Sequence, residues 1–555
     1  MLVPYSSYKN MDHMNSLTEY FLKTRRYLLP LILACAAIAV YANSFGNGFV
    51  WDDSQIIVTN NENRDLSKIP GLFVSTDTAY TYDESSYYRP LNRLTYVLEY
   101  KLYELNPFGY HAGNILLHAT AVLLLYYLLN SLFSSTGLAF TTALLFAVHP
   151  INSETVNFIS ARNNILSTVF VLSSFIVFIR AEIKQKTVYF WFSGFLFFLG
   201  LLSKEIAAML PIMLLAYNFK FSSPIAKKIR QKFISLLPFA FFAIIYIVLR
   251  AITLSNNIEP VFNTNNFGVR ILQNIYIIPK YLSVFFLPSN LNAYYLIPED
   301  YLHFKTFLIS GWAIIMLLLF YLIKSKRPAA IFGLVWFAVN FIPISNIIAI
   351  PSAQMAERYM YLPAIGLFII TAEYLNTFYM KGIWNKAVIS CFVIIIFALS
   401  LITVKRNTIW KNDFSLFESI TISQPESPFG YYNLGCVYKG SGDLQNAKKE
   451  WEKTLEIAPL HSNALNQLGN IYYLSGLLTK AKVYYYSSVQ SDPENAEAHY
   501  NLAMTLENLN DTDEAFLHYS IFLQKASPEY ATQIQQVKNK FSGNLSRDQG
   551  HFKER

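Results

Sequence analysis

The chain has 555 residues, of which 53% are hydrophobic and only 14% charged, and its mean hydropathy is +0.29. A soluble globular domain carries roughly 25% charged residues, so one water-soluble body of this length is excluded. The net charge of +8 does not point to nucleic acid, because Lys and Arg collect in short segments between apolar runs, as in cytoplasmic loops of membrane proteins.

From Leu28 to Leu401 the chain reads as repeated apolar helices. The first run lacks a small-residue cleavage signature and is followed by many others, so it reads as an uncleaved first span. A span needs about 20 apolar residues. The expected spans are 27–45, 112–130, 138–149, 164–179, 188–202, 204–218, 233–250, 304–323, 329–342, 361–378 and 386–404. A further apolar segment, 271–288, follows Arg270 and contains Pro279 and Lys280; it crosses the membrane or lies within it. Lys23, Arg25 and Arg26 place the N-terminus in the cytoplasm. Arg180–Lys186, Lys220–Lys232, Lys324–Arg327, and Lys381 with Lys386, fall on the same side if 271–288 does not cross. The expectation is 11 spans, a non-cytoplasmic C-terminal region and a long outer loop over 43–110.

That loop begins with Trp51, Asp52 and Asp53. Paired carboxylates at a membrane surface are costly to desolvate unless solvated or paired. They either cap the span's exit or provide a general base for an acceptor hydroxyl. Other polar residues recur at the same outer side: Arg89, His111 and His118 (two helical turns apart, hence on one face), His149, Glu154 and Arg162. Lys204 with Glu205, and Glu357 with Arg358, complete the set. Singly, each reads as an interfacial anchor or a satisfied ion pair. Together they offer cations for a lipid phosphate and carboxylates, Glu154 among them, for proton transfer. The three histidines raise a divalent metal, but no tight ligand cluster is evident and no metal ligand is assigned. Cys35, Cys391 and Cys436 outline neither a disulfide framework nor a thiolate cluster.

Beyond the last span the solvent changes. Pro425, Pro459 and Pro493 recur at 34 residues, with Pro528 one residue late. Leu434, Leu468 and Leu502 keep the same period, as do Gly435, Gly469 and Ala503, and Ala447, Ala481 and Ala515. Small residues let paired helices approach, and each proline closes one unit and opens the next. The spacing predicts a short tetratricopeptide solenoid, serving as a packing platform, a concave peptide-binding face, or both. The expected organisation is a cytoplasmic segment 1–26, a multi-span domain 27–404, a linker or partial repeat 405–427, repeats over 428–528, and a capping or flexible tail 529–555.

Several motifs carry a resemblance. Trp51-Asp52-Asp53, Tyr88-Arg89-Pro90-Leu91, Leu105 to His111, Asn114 to His118, His149 to Glu154, Leu202 to Glu205 and Ala356 to Tyr359 are similar, in order, to segments of the transmembrane and tetratricopeptide-repeat containing O-mannosyltransferases. The resemblance implies the C-type glycosyltransferase fold: a polytopic all-α membrane body followed here by a short soluble all-α solenoid. It implies a polyprenyl-phosphate sugar as donor substrate, Asp52 as the base with Asp53 assisting, and Arg89, Arg162, Lys204 and Arg358 engaging the donor phosphate. It also implies inversion at the anomeric carbon. Where the family commonly has Gly-Arg-Ala-Asp, this chain has Ala161-Arg162-Asn163-Asn164, an amide in place of a carboxylate, which puts sugar or acceptor choice in doubt.

The expected function is transfer of mannose or another hexose from a polyprenyl phosphate to a protein Ser/Thr hydroxyl or a glycan, with no nucleic-acid partner. The expected location is the inner membrane of a microbe, with site and repeats non-cytoplasmic. The alternatives are a non-enzymatic repeat scaffold for envelope assembly and a transporter of lipid-linked sugar.

Overall fold

The computed structural model describes residues 27–75, 87–220, 233–254, 267–297, 305–347, 353–380 and 385–551. Lys23, Arg25, Arg26, Lys381 and residues 221–232, on which much of the charge reading rests, lie outside the described residues. The chain divides into two compact units, Met1–Leu416 and Phe417–Arg555.

In chain order the first unit contains α1 (Tyr27–Gly46), α2 (Pro90–Tyr103), α3 (Pro107–Phe133), α4 (Thr136–Val148) and α5 (Arg162–Lys184). There follow α6 (Thr187–Ser203), α7 (Leu210–Lys220), α8 (Leu237–Leu254) and α9 (Phe267–Phe286). The last four are α10 (Lys305–Ser325), α11 (Pro328–Phe341), α12 (Ala364–Met380) and α13 (Asn385–Asn407). Among the described residues six helices, α1, α3, α5, α8, α10 and α13, are long and apolar enough to cross a membrane. The runs expected to cross at 138–149, 188–202, 204–218 and 329–342 form shorter apolar helices. The unit is thus a polytopic all-α membrane body. Its outward faces agree: α10 exposes Ile309, Leu317 and Phe320, and α13 exposes Val393, Ile394 and Phe397, surfaces too apolar for water.

Helix α3 starts earlier than the apolar run indicates, because Asn106 caps it by accepting the Phe108 N–H and Pro107 occupies its first turn, where a missing N–H is harmless. His111 therefore belongs to this helix rather than to the loop. Helices α11 and α12 meet through Gly333 and Gly366: a Cβ on Gly366 would lie 2.2 Å from the Gly333 carbonyl oxygen. Small residues at such crossings allow the backbone contact that replaces hydrophobic drive within lipid.

After α14 (Asp413–Ser423) come three antiparallel helix pairs, α15 (Pro428–Gly440) with α16 (Leu444–Ile457), α17 (Ser462–Leu474) with α18 (Leu478–Ser491), and α19 (Ala496–Asn508) with α20 (Thr512–Lys525). The period predicted from the prolines is explained inside each pair. Gly435 faces the Trp451 ring and Gly469 the Tyr485 ring, with no room for a Cβ. The turns keep the same register: Gly442, Gly476 and Asn510 all have positive φ, the conformation open to Gly and Asn. A final helix, α21 (Ala531–His551), buries Val537 against the last pair and so covers its apolar end.

Candidate active site

The chain leaves α1 and turns sharply at Trp51, whose φ of 54° is a left-handed conformation unfavourable for a bulky residue. Its surroundings hold it there. The Trp51 N–H donates to Asp413 Oδ1 at 2.7 Å, and the indole stacks on Phe158, which stacks in turn on Trp410. Asp53, the residue after next, is fully buried. Its Oδ1 accepts the Ser160 N–H at 2.8 Å and the Ser160 hydroxyl at 2.5 Å, and its Oδ2 accepts the Val50 N–H at 3.2 Å. Burial pushes its pKa up to about 7, against the pull of those hydrogen bonds. Asp53 thus pins the outer loop to the connection before α5. Asp52 between them is only part-buried, and its charge acts on Arg358.

Arg358 joins this turn to the rest of the site. Its backbone N–H and guanidinium both donate to the fully buried Glu154, at 2.9 and 2.5 Å, and the guanidinium lies 5.9 Å from the Trp51 ring centre and 5.1 Å from that of Tyr359. The Lys204 ammonium also lies 5.1 Å from the centre of the Tyr359 ring, and donates to Asn164 Oδ1 at 2.6 Å. Next to it Glu205 is gripped by two arginines, Arg89 at 3.1 Å and Arg250 at 3.4 Å. Asp52, Glu154, Lys204, Glu205, Arg89 and Arg358 are therefore electrostatic neighbours. Four cations, Arg89, Lys204, Arg250 and Arg358, face three carboxylates, Asp52, Glu154 and Glu205, a surplus of one suited to an anion.

The remaining sequence-derived residues make their hydrogen bonds and ion pairs outside this group, although Glu357 feels the charge of Glu154. Arg162 is buried and spends its guanidinium on Glu99, Asn114 Oδ1, Thr95 Oγ1 and the Tyr110 carbonyl, tying α5 to α2 and α3. Glu357, although adjacent to Arg358, faces the other way and forms a buried pair with Arg406 at 3.0 Å while accepting from Asn292 N and Tyr295 Oη. His118 packs in the core, bonded to Tyr361 Oη and the Ala147 carbonyl. His149 caps the turn after α4 and bonds to the Phe285 carbonyl. His111 Nε2 meets the Gly48 carbonyl at 3.2 Å, while its Nδ1, also buried, has no hydrogen-bond partner among the described residues. Among the described residues no group of three or more His, Cys, Asp or Glu is placed to hold a metal ion.

Two participants escape a sequence reading. Arg250 sits near the end of the apolar run of α8, and an ionisable residue in such a run is itself a signal of a partner or a site. Asn164 is visible only as a departure from the resembling motif; nothing local shows that its oxygen meets Lys204, 40 residues on.

Residues 95–250 match the family model of dolichyl-phosphate-mannose-protein mannosyltransferases. Residues 430–459, 462–495 and 484–516 match tetratricopeptide-repeat models. The chain is 28% identical to a protein O-mannosyl-transferase of Caenorhabditis elegans over 77% of its length. It is 25% identical to human protein O-mannosyl-transferase TMTC3 over 89%, and 27% identical to human TMTC1 over 79%. It spans 62%, 54% and 56% of those relatives' own lengths, respectively. In its membrane part the chain is therefore similar to membrane-embedded protein mannosyltransferases, and in its second part to tetratricopeptide repeats.

Proposed function

We propose that this chain transfers a hexose, with mannose first among them, from a polyprenyl phosphate to a hydroxyl of a protein or glycan at the non-cytoplasmic membrane surface. The observation that carries this reading is the cluster of four cations, Arg89, Lys204, Arg250 and Arg358, of which Arg358 lies in the field of Asp52. A transporter would place ionisable groups near the midplane; a scaffold would need no such cluster.

The acceptor hydroxyl oxygen attacks the anomeric carbon of the donor. Its O–H bond breaks as the new C–O bond forms, and Asp52 takes the proton. The bond from the anomeric carbon to the phosphate oxygen breaks with its electron pair, and the cationic cluster stabilises the charge left on the lipid phosphate. Attack opposite the leaving group inverts the anomeric centre. Asp53 and Glu154 position this machinery: one fixes the turn that carries Asp52, the other fixes Arg358. The repeats supply a surface for the acceptor.

The test is mass analysis of proteins and glycans from cells with and without this chain. Hexose-bearing Ser or Thr peptides, or a hexose-extended glycan, present only with the chain are expected. Identical profiles, with the chain shown to be produced and in the membrane, would overturn the assignment.

A further inference from the structure

Lys204 lies in the gap between α6 and the 3₁₀ turn Glu205–Met209, part-buried. Among the described residues it forms no ion pair. The carboxylates that act on it most, Glu205 and Glu154, are engaged elsewhere, Glu154 by Arg358 and Glu205 by Arg89 and Arg250. What the ammonium bonds to is an amide oxygen, Asn164 Oδ1 at 2.6 Å. That amide is itself held, since its Nδ2 donates to the Ala161 carbonyl and to Asn163 Oδ1, each at 2.9 Å. Its oxygen is therefore fixed toward Lys204. An amide oxygen accepts a hydrogen bond from an ammonium without neutralising it.

We propose that Asn164 is a positioning residue that holds Lys204 without a counter-ion, so that the phosphodiester of an incoming lipid-linked donor becomes that counter-ion. The inference rests on the donor reading above and adds to it the residue that sets the charge of the site.

The groups facing Lys204 are Arg89 ahead of α2, Glu154 and Asn164 on either side of Arg162, Glu205 beside it, and Arg358 with Tyr359. Burial first, then Arg89, hold the Lys204 ammonium well below the ordinary lysine range; Arg358 adds to this, and Glu205 and Glu154 oppose it. A phosphate oxygen beside Nζ reverses the balance, because an adjacent anion favours the charged form. Free and bound states then hold different numbers of protons on Lys204, and affinity falls as pH rises through its free-state pKa. A carboxylate at position 164 would supply the counter-ion permanently. It would remove the proton uptake and repel the phosphodiester.

The experiment measures the Kd of methyl farnesyl phosphate, a phosphodiester carrying one negative charge throughout pH 6–10, for the full chain in detergent micelles. Wild-type Kd is expected to rise at least about tenfold across the alkaline half of that range, since one linked proton gives up to tenfold per pH unit. Asn164→Gln should retain the slope. Asn164→Asp should bind at least about tenfold more weakly at pH 7, with a pH profile flat within about threefold. Lys204→Met should likewise lose the slope. Should Asn164→Asp fail to fold, a slope present in wild type and absent in Lys204→Met supports the inference, and equal slopes overturn it. A wild type that binds without any slope, or an Asn164→Asp chain that binds like wild type, overturns the inference and leaves the donor reading standing. No binding by wild type at any pH removes the donor reading and this inference together.

Discussion

Asp52 and Asp53 are neighbours in sequence with different surroundings. Asp53 is buried and takes three hydrogen bonds; Asp52 is part-buried and feels Arg358. Asp52→Asn should leave the melting temperature in detergent unchanged while lowering transfer by about 10²–10⁴-fold, the usual contribution of a general base. Turnover within a few-fold of wild type would remove Asp52 from that role. Asp53→Asn tests structure instead. Its folded pKa of about 7 lies above the ordinary aspartate value of 3.8. The folded state therefore holds a proton that the unfolded chain has released. Its contribution to stability is full below pH 4 and is lost as pH rises toward 7. The amide variant should flatten that part of the melting temperature against pH. The doublet was legible in the sequence as a pair, but the difference in surroundings was not, because it depends on Ser160, 107 positions away.

Among the elements, α13 is tied to the 3₁₀ turn that contains Glu357 by the buried pair Arg406–Glu357. Removing one partner of such a pair leaves an uncompensated buried charge, at a cost of about 3–5 kcal/mol. Glu357→Ala should therefore lower the melting temperature markedly, and Glu357→Ala combined with Arg406→Leu should recover part of the loss. A double variant no better than the single one would show that packing, not charge, sets the cost. In the repeats Gly469→Ala would put a Cβ 2.5 Å from the Tyr485 ring. Overpacking of this kind costs about 1–3 kcal/mol, read as faster hydrogen exchange in α17 and α18 of the full chain. The 34-residue period made the close approach of paired helices at Gly469 legible in advance, since it repeats a local pattern. The pairing of Arg162 with Glu99 was not, although both residues are conspicuous: sequence offers an arginine many carboxylates and no measure of which lies near.

For the whole molecule, parity of spans is the weak point of a charge reading, and the fold offers an independent check. The end of α13 returns to the exit of α1: Asn407 donates to the Val40 carbonyl at 2.9 Å and to Asn43 Oδ1 at 2.8 Å, and the Lys411 carbonyl accepts the Gly48 N–H. Both segments therefore lie at one end of the first unit, next to Asp52. In a chain with its own cysteines replaced by serine, Gln55→Cys and Lys411→Cys, both exposed positions, should react with a membrane-impermeant maleimide from the same side. Labelling from opposite sides would contradict that arrangement.

Hydropathy and the 34-residue period determined, without any coordinates, that an all-α membrane body precedes a helical repeat. Both are local properties, repeated along the chain and insensitive to how distant segments meet. The tertiary structure decided which polar residues are neighbours. It drew Arg89, Lys204, Glu205 and Arg358 into one electrostatic neighbourhood, with Asp52 beside Arg358 and with Arg250 and Asn164 as partners, and it paired Arg162, Glu357, His118 and His149 with other groups. The physical reason is that a buried charge is stabilised by its nearest partner in space, and in this fold that partner is commonly tens to hundreds of residues away.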